Sequence, residues 1–112
     1  MRITFFGRSC SGCRPVRGFL EDEQIAHDFV DVRKAPLDKS RALELARKHQ
    51  EIAATRGGKL VRVKTIEATD AELEQLVLGR EGNLRAPTVS NGKTLLCGFE
   101  KRALTALVSD ES

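Results

Sequence analysis

Residues 2 to 14 read Arg2-Ile3-Thr4-Phe5-Phe6-Gly7-Arg8-Ser9-Cys10-Ser11-Gly12-Cys13-Arg14. The first five are β-rich and predict a strand, which Gly7 ends. From Cys13 to Glu23 the spacing is helical, with Val16, Phe19 and Leu20 on one face. Pro15 fits only in the first turn of that helix, and Ser9 or Ser11 stands where a cap belongs. Two cysteines three residues apart therefore occupy a strand-to-helix turn.

Working outward, His27-Asp28-Phe29-Val30-Asp31-Val32 reads as a second strand, parallel to the first across the helical crossover. Ala35-Pro36-Leu37-Asp38 is a turn, and Asp38 precedes a helix from Lys39 to about Gln50 with Leu43 and Ala46 inward. The segment from about 51 to 84 reads as a variable, mostly helical middle. Within it, Thr55-Arg56-Gly57-Gly58 is a break, and Leu60 to Lys64 is a short strand or an extended connector. Thr69 with Glu72 forms a capping box for a helix burying Leu73, Leu76 and Val77. Pro87 to Ser90 leads into Asn91-Gly92, a hairpin signal, and Lys93 to Cys97 returns. After Gly98-Phe99-Glu100 a last helix carries Ala103, Leu104, Leu107 and Val108. The order is βαβα, a helical middle, then ββα.

A chain of 112 residues predicts one domain. With five Phe and no Trp or Tyr, its core must come from Leu, Val, Ile and Ala. A formal net charge of +3, with both signs interspersed, is too small to indicate direct nucleic-acid binding. No apolar run reaches transmembrane length, and no secretory leader is recognisable. A cytoplasmic location is expected, where structural disulfides are rare. Three cysteines are an odd number and do not make a disulfide scaffold.

The chemistry of Cys10 and Cys13 follows from their position. A helix start offers unpaired amide donors and the positive end of the helix dipole. A thiolate there is stabilised, and its pKa falls below the ordinary value of about 8.5. Cys10 is the candidate nucleophile, and Cys13 is near enough to resolve a mixed disulfide. Gly12 removes bulk between them, and Arg14 adds positive charge or points to solvent. Half of a zinc site is a rival reading, but only Cys97, His27 and His49 remain to complete it, without paired ligand spacing. Two inert cysteines are another. Cys97, among Leu95, Leu96 and Phe99, reads as a small buried hydrophobe, with a third, distal redox cysteine as the alternative. His27 and His49 read as surface residues. Neither a cofactor nor a metal is expected.

On these residues the chain resembles the thioredoxin fold, and within it the arsenate reductase-like (ArsC/Spx) group, over nearly its whole length. The likeness rests on the first strand, the Cys-x-x-Cys-Arg run and a proline after a variable helical segment. It extends to Pro87-Thr88-Val89-Ser90-Asn91-Gly92-Lys93 with Gly98-Phe99, which looks like the group's RRP, strand, x-G-K, strand, G-[FY] ending. The resemblance implies a thioredoxin-like α/β fold with a mixed four-stranded sheet. It also implies that Pro87 is a cis-proline facing the active cysteine, with the backbone of Ala86 open to an extended substrate. Glutaredoxins share this plan, and the resemblance suggests that they bind glutathione there, although this chain lacks their usual Thr-Val before the proline. Arsenate reductases of the group resemble a single catalytic cysteine with arginines around an oxyanion. Here Cys13 is additional, Arg85 matches the first arginine of RRP, and Ala86 replaces the second. That replacement removes a bidentate anion contact. Spx-like proteins share Cys-x-x-Cys-Arg and bind RNA polymerase.

The expected function is thiol-disulfide oxidoreduction, with Cys10 attacking and Cys13 resolving. Gly12, Arg14, Arg85, Ala86 and Pro87 would form the substrate site, and the substrate would be a protein disulfide or a glutathione adduct. The alternatives are a redox-sensing, Spx-like regulatory protein with RNA polymerase as partner, and an arsenate reductase.

Overall fold

The computed structural model describes residues 2–8 and 13–109. Its elements are β1 (Thr4–Gly7), α1 (Arg14–Asp22), β2 (Asp28–Asp31), α2 (Lys39–Arg47), β3 (Glu51–Arg56) and β4 (Lys59–Lys64). A 3-10 turn (Thr65–Glu67) follows, then α3 (Asp70–Val77), β5 (Thr88–Ser90), β6 (Thr94–Cys97) and α4 (Lys101–Ser109). The strands form one mixed sheet in the order β2-β1-β5-β6-β3-β4. β1 and β2 are parallel across α1, with Phe5 beside Phe29. β5 lies antiparallel to both β1 and β6. This βαβ unit and ββα unit, joined through a mixed sheet, make the thioredoxin-like arrangement.

The sheet has six strands rather than the four expected. The four expected strands are its contiguous β2-β1-β5-β6 portion, and β3 adds to β6 in parallel and carries β4 as a hairpin. The first half of the supposed helical middle is therefore this hairpin, and only the 3-10 turn and α3 are helical there. Glu51-Ile52-Ala53-Ala54 misleads because alanine has the strongest intrinsic helix propensity. Tertiary position overrides it: Ile52, Ala53 and Ala54 are all buried in a central strand covered on both faces. The break at Gly57-Gly58 is the two-residue turn of the hairpin, with φ of 54° and 79°. Positive φ at both positions is what a type I′ turn requires.

Period-two alternation divides the core. Phe5, Ala53, Val89 and Leu96 face Val16 and Leu20 of α1 and Ala103, Leu104 and Leu107 of α4. Their neighbours Phe6, Ile52, Ala54, Leu95 and Cys97 face Ala42 and Ala46 of α2 and Leu73, Leu76 and Val77 of α3. Leu43, expected inward, is only half-buried, and Ala42 takes its place. Among the described residues, no helix is long and apolar enough to cross a membrane.

Local signals act where the sequence placed them. The Asp38 carboxylate accepts the Arg41 N–H at 3.0 Å and starts α2. Thr69 and Glu72 exchange both bonds of the capping box. Asn91 Oδ1 accepts from the Lys93 and Thr94 amides at 2.9 and 2.7 Å, while its Nδ2 donates to the Leu107 carbonyl at 3.0 Å. One side chain thus closes the β5–β6 turn and ties it to α4.

His49 departs from its surface reading, since it is buried at 5% exposure. α2 ends at Arg47, and His49 turns under the sheet edge toward β5. Its Nδ1 lies 2.8 Å from the Leu45 carbonyl and its Nε2 lies 2.6 Å from Ser90 Oγ. Two satisfied ring nitrogens make this burial tolerable.

Candidate active site

β1 and β2 run parallel, so their carboxyl ends and the turns after them lie at one edge of the sheet. Ligand sites of open α/β sheets gather at such edges. Of the predicted pair, Cys10 lies outside the described residues, as do Gly12, Ser9 and Ser11. Cys13 is described. It occupies the N-cap of α1, with φ −91°, no side-chain capping bond and no exposed surface. Its carbonyl accepts the Arg17 N–H at 3.0 Å, the opening bond of the helix. Its sulfur accepts the Arg8 N–H at 3.3 Å, which bridges the turn from strand to helix.

Gly7 explains how the strand end comes so close. A Cβ there would stand 2.6 Å from the Phe5 ring and 3.4 Å from the Cys13 sulfur. The first distance is far inside van der Waals contact, so a side chain at position 7 would displace the buried Phe5 ring of the same strand. Arg14 is exposed on the first turn of α1, and it lies apart from the groove described below.

The Ala86–Pro87 peptide bond is cis, as the resemblance implied. Pro87 is buried, and its carbonyl accepts the Gly98 N–H at 2.8 Å. Ala86 is half-buried and packs against the core cluster that contains Cys13. Arg85 has a different surrounding from an open anion site. Its Nη1 donates to the carbonyls of Thr55 and Leu76 at 3.1 and 3.3 Å, and its Nη2 donates to Thr55 Oγ1 at 3.2 Å. The guanidinium therefore ties the approach to Pro87 onto the end of β3 and onto α3.

Cys97 belongs to the opposite face of the sheet from Cys13, in the layer with Phe6 and Leu95. Complete burial pushes its thiol up to about 11; the neighbouring Thr88 and the charge of Arg85 act in the other direction without undoing it. Such a thiol is inert near neutral pH. His27 is half-buried, its Nδ1 2.9 Å from the Ile25 carbonyl.

A groove of about 490 Å³ opens beside these elements. Arg8 at the end of β1, Val32 to Leu37 after β2, and the 79–86 loop border it. The groove brings Arg85 and Ala86 together with Arg8, Arg33 and Arg80. Sequence reading passed over Arg33 and Arg80. The available signal was that Arg33 directly follows a strand parallel to the first, which sends it to the same edge as Arg8.

This fold, with a cysteine at the first turn of α1 and a cis-proline before β5, places the chain among thioredoxin-like α/β proteins. No protein-family model matches the sequence. Two curated relatives are similar to it, each described as "Global transcriptional regulator Spx", from Streptococcus agalactiae serotype V and serotype III. Each is 23% identical over 114 residues, spanning 96% of this chain and 83% of the relative. The similarity to Spx/ArsC-like sequences is distant.

Proposed function

We propose that the protein is a thiol-disulfide oxidoreductase acting through Cys10 and Cys13. The Cys10 thiolate attacks one sulfur of a substrate disulfide; a Cys10–substrate disulfide forms and the other substrate sulfur leaves as thiolate. Cys13, losing its proton, then attacks the Cys10 sulfur, forms the Cys10–Cys13 disulfide and expels the second substrate thiolate. Two electrons pass to the substrate, and a dithiol, or two glutathiones that leave as their disulfide, returns the enzyme to its reduced form. The observation that carries this reading is the position of Cys13, buried at the N-cap of α1 with an amide N–H on its sulfur. A resolving cysteine needs such protection, because it must meet only the sulfur of its neighbour. Reduction of a small disulfide, lost in Cys10→Ser, with mixed disulfides accumulating in Cys13→Ser, tests it. Turnover that survives Cys10→Ser rejects it.

The relatives favour a second reading. In it the same pair is a sensor, oxidised once to change affinity for a partner, with RNA polymerase the partner that the Spx resemblance suggests. Repeated cycling with a reductant separates an enzyme from such a switch.

A further inference from the structure

The groove beside the cysteine turn has a chemistry that thiol exchange does not need. Four arginines, Arg8, Arg33, Arg80 and Arg85, share it with one carboxylate, Glu81. Among the described residues, Arg33, Arg80 and Glu81 enter no ion pair. Arg33 and Arg80 are exposed. The charges of Arg33 and Arg80 are thus not neutralised by an ion pair, whereas Arg85 is held by its bonds to Thr55 and Leu76.

Both walls are fixed by backbone bonds. Asp31 Oδ1 accepts the Arg33 N–H at 2.9 Å, and the Asp31 carbonyl accepts the amides of Lys34 and Ala35. Opposite, Gly79 N–H donates to the Asn83 carbonyl at 2.8 Å, and Arg85 N–H to the Val77 carbonyl at 2.8 Å. The Leu84 N–H donates to the Leu37 carbonyl at 2.8 Å and stitches one wall to the other. Leu37 and Leu84 supply an apolar floor. A preformed cleft avoids the ordering cost of binding, and its volume of about 490 Å³ is larger than a single tetrahedral anion needs.

We propose that this groove is a docking subsite for acidic residues flanking the reactive cysteine of a polypeptide substrate. The assignment rests on the oxidoreductase reading for its purpose but not for its test. Arg8 links the two places: it lines the groove, and its N–H sits on the Cys13 sulfur. Ala86, ahead of the cis-proline, also lines the groove. A chain crossing the cysteine turn past Ala86 would lay its neighbouring side chains among Arg33 and Arg80. Carboxylates there gain charge-assisted bonds and faster encounter.

The test uses the whole reduced protein and a fluorescent, cysteine-free octapeptide rich in Asp and Glu. Its Asn/Gln counterpart is the control, and anisotropy is the readout. The acidic peptide should bind roughly tenfold or more tightly than the amide peptide, as two or three exposed ion pairs allow. That preference should fade as salt is raised and vanish in Arg33→Gln/Arg80→Gln, whose exposed substitutions leave the circular dichroism spectrum unchanged. It should persist in Cys10→Ser/Cys13→Ser, so loss of redox activity leaves it standing. Equal binding of both peptides overturns the proposal, as does full binding by the double arginine variant. Stronger competition by inorganic phosphate or a single-stranded RNA than by acidic peptide at equal charge also overturns it, by assigning the groove to phosphate.

Discussion

The backbone N–H of Arg8 donates to the sulfur of Cys13 at 3.3 Å. One residue thus contributes its amide to the cysteine and also lines the basic groove. Cys13 has no exposed surface, and Cys97 is equally enclosed. The three cysteines should therefore alkylate in a fixed order. Cys10 should react fastest at neutral pH, and Cys97, with its thiol near 11, should stay unlabelled until the protein unfolds. Site-resolved iodoacetamide labelling by mass spectrometry, from pH 6 to 9, gives the order; early labelling of Cys97 would refute the assignment.

Gly98 has φ of 96°, and a Cβ there would stand 2.1 Å from Thr55 Oγ1 and 3.1 Å from Arg85 Nη2. Gly98→Ala should cost about 2 kcal/mol or more, adding a left-handed backbone penalty to a steric clash. The clash depends on Thr55, so the same substitution should cost less in a Thr55→Ala background. Urea midpoints of the four proteins in that cycle measure the coupling. Strict additivity would mean that Thr55 is not the obstacle.

His49 makes stability depend on pH. Burial pushes its pKa below the ordinary value of about 6.5. A carbonyl can only accept, so the proton sits on Nδ1 toward Leu45, and Nε2 accepts from the Ser90 hydroxyl. The folded state therefore binds the second ring proton less readily than the unfolded state does. This contribution is complete above about pH 6.5 and declines as pH falls below it. Glu72, held low by the Thr69 cap, loses its contribution only in the more acidic carboxylate range. Denaturation series between pH 5 and 8 should show falling stability below pH 6.5, with a shallower slope in His49→Gln. An unchanged slope would remove His49 from the account.

The parts legible in the sequence were those with a local chemical cause. Pro15, Asp38, the Thr69–Glu72 box and Asn91-Gly92 each act on neighbours within a few residues, and each works as its spacing indicates. Of the β3–β4 hairpin, the Gly57-Gly58 turn and the alternation of β4 were legible, but β3 was hidden because Ile52-Ala53-Ala54 is strand only through its burial between β6 and β4. His49 was hidden for the same reason, since its partner Ser90 is 41 residues away. At the site, Cys13 and Pro87 announce themselves by motif. The groove does not, because Arg8, Arg33 and Arg80 meet only when two parallel strands and the 79–86 loop end at one edge.

Arg85 provides the sharpest contrast between motif and structure. Its resemblance-based duty is to bind substrate, and it does border the groove. Three of its hydrogen bonds nevertheless go to Thr55 and Leu76, through the planar fork of the guanidinium. Lysine keeps the charge but lacks that fork. Arg85→Lys should therefore destabilise the protein by about 1–3 kcal/mol, because carbonyls of Thr55 and Leu76 lose their donors. A purely substrate-binding arginine would instead leave Tm unchanged and raise KM. Arsenate reduction requires arginines that converge on the anion, and here Ala86 stands beside Pro87 while Arg85 is largely occupied. Arsenate turnover supplied with glutathione and glutaredoxin should accordingly be negligible, with reduction of a small disulfide measurable under the same conditions. Robust, Cys10-dependent arsenate turnover that falls in Arg33→Gln/Arg80→Gln would reverse this conclusion and give the anion site to the groove arginines.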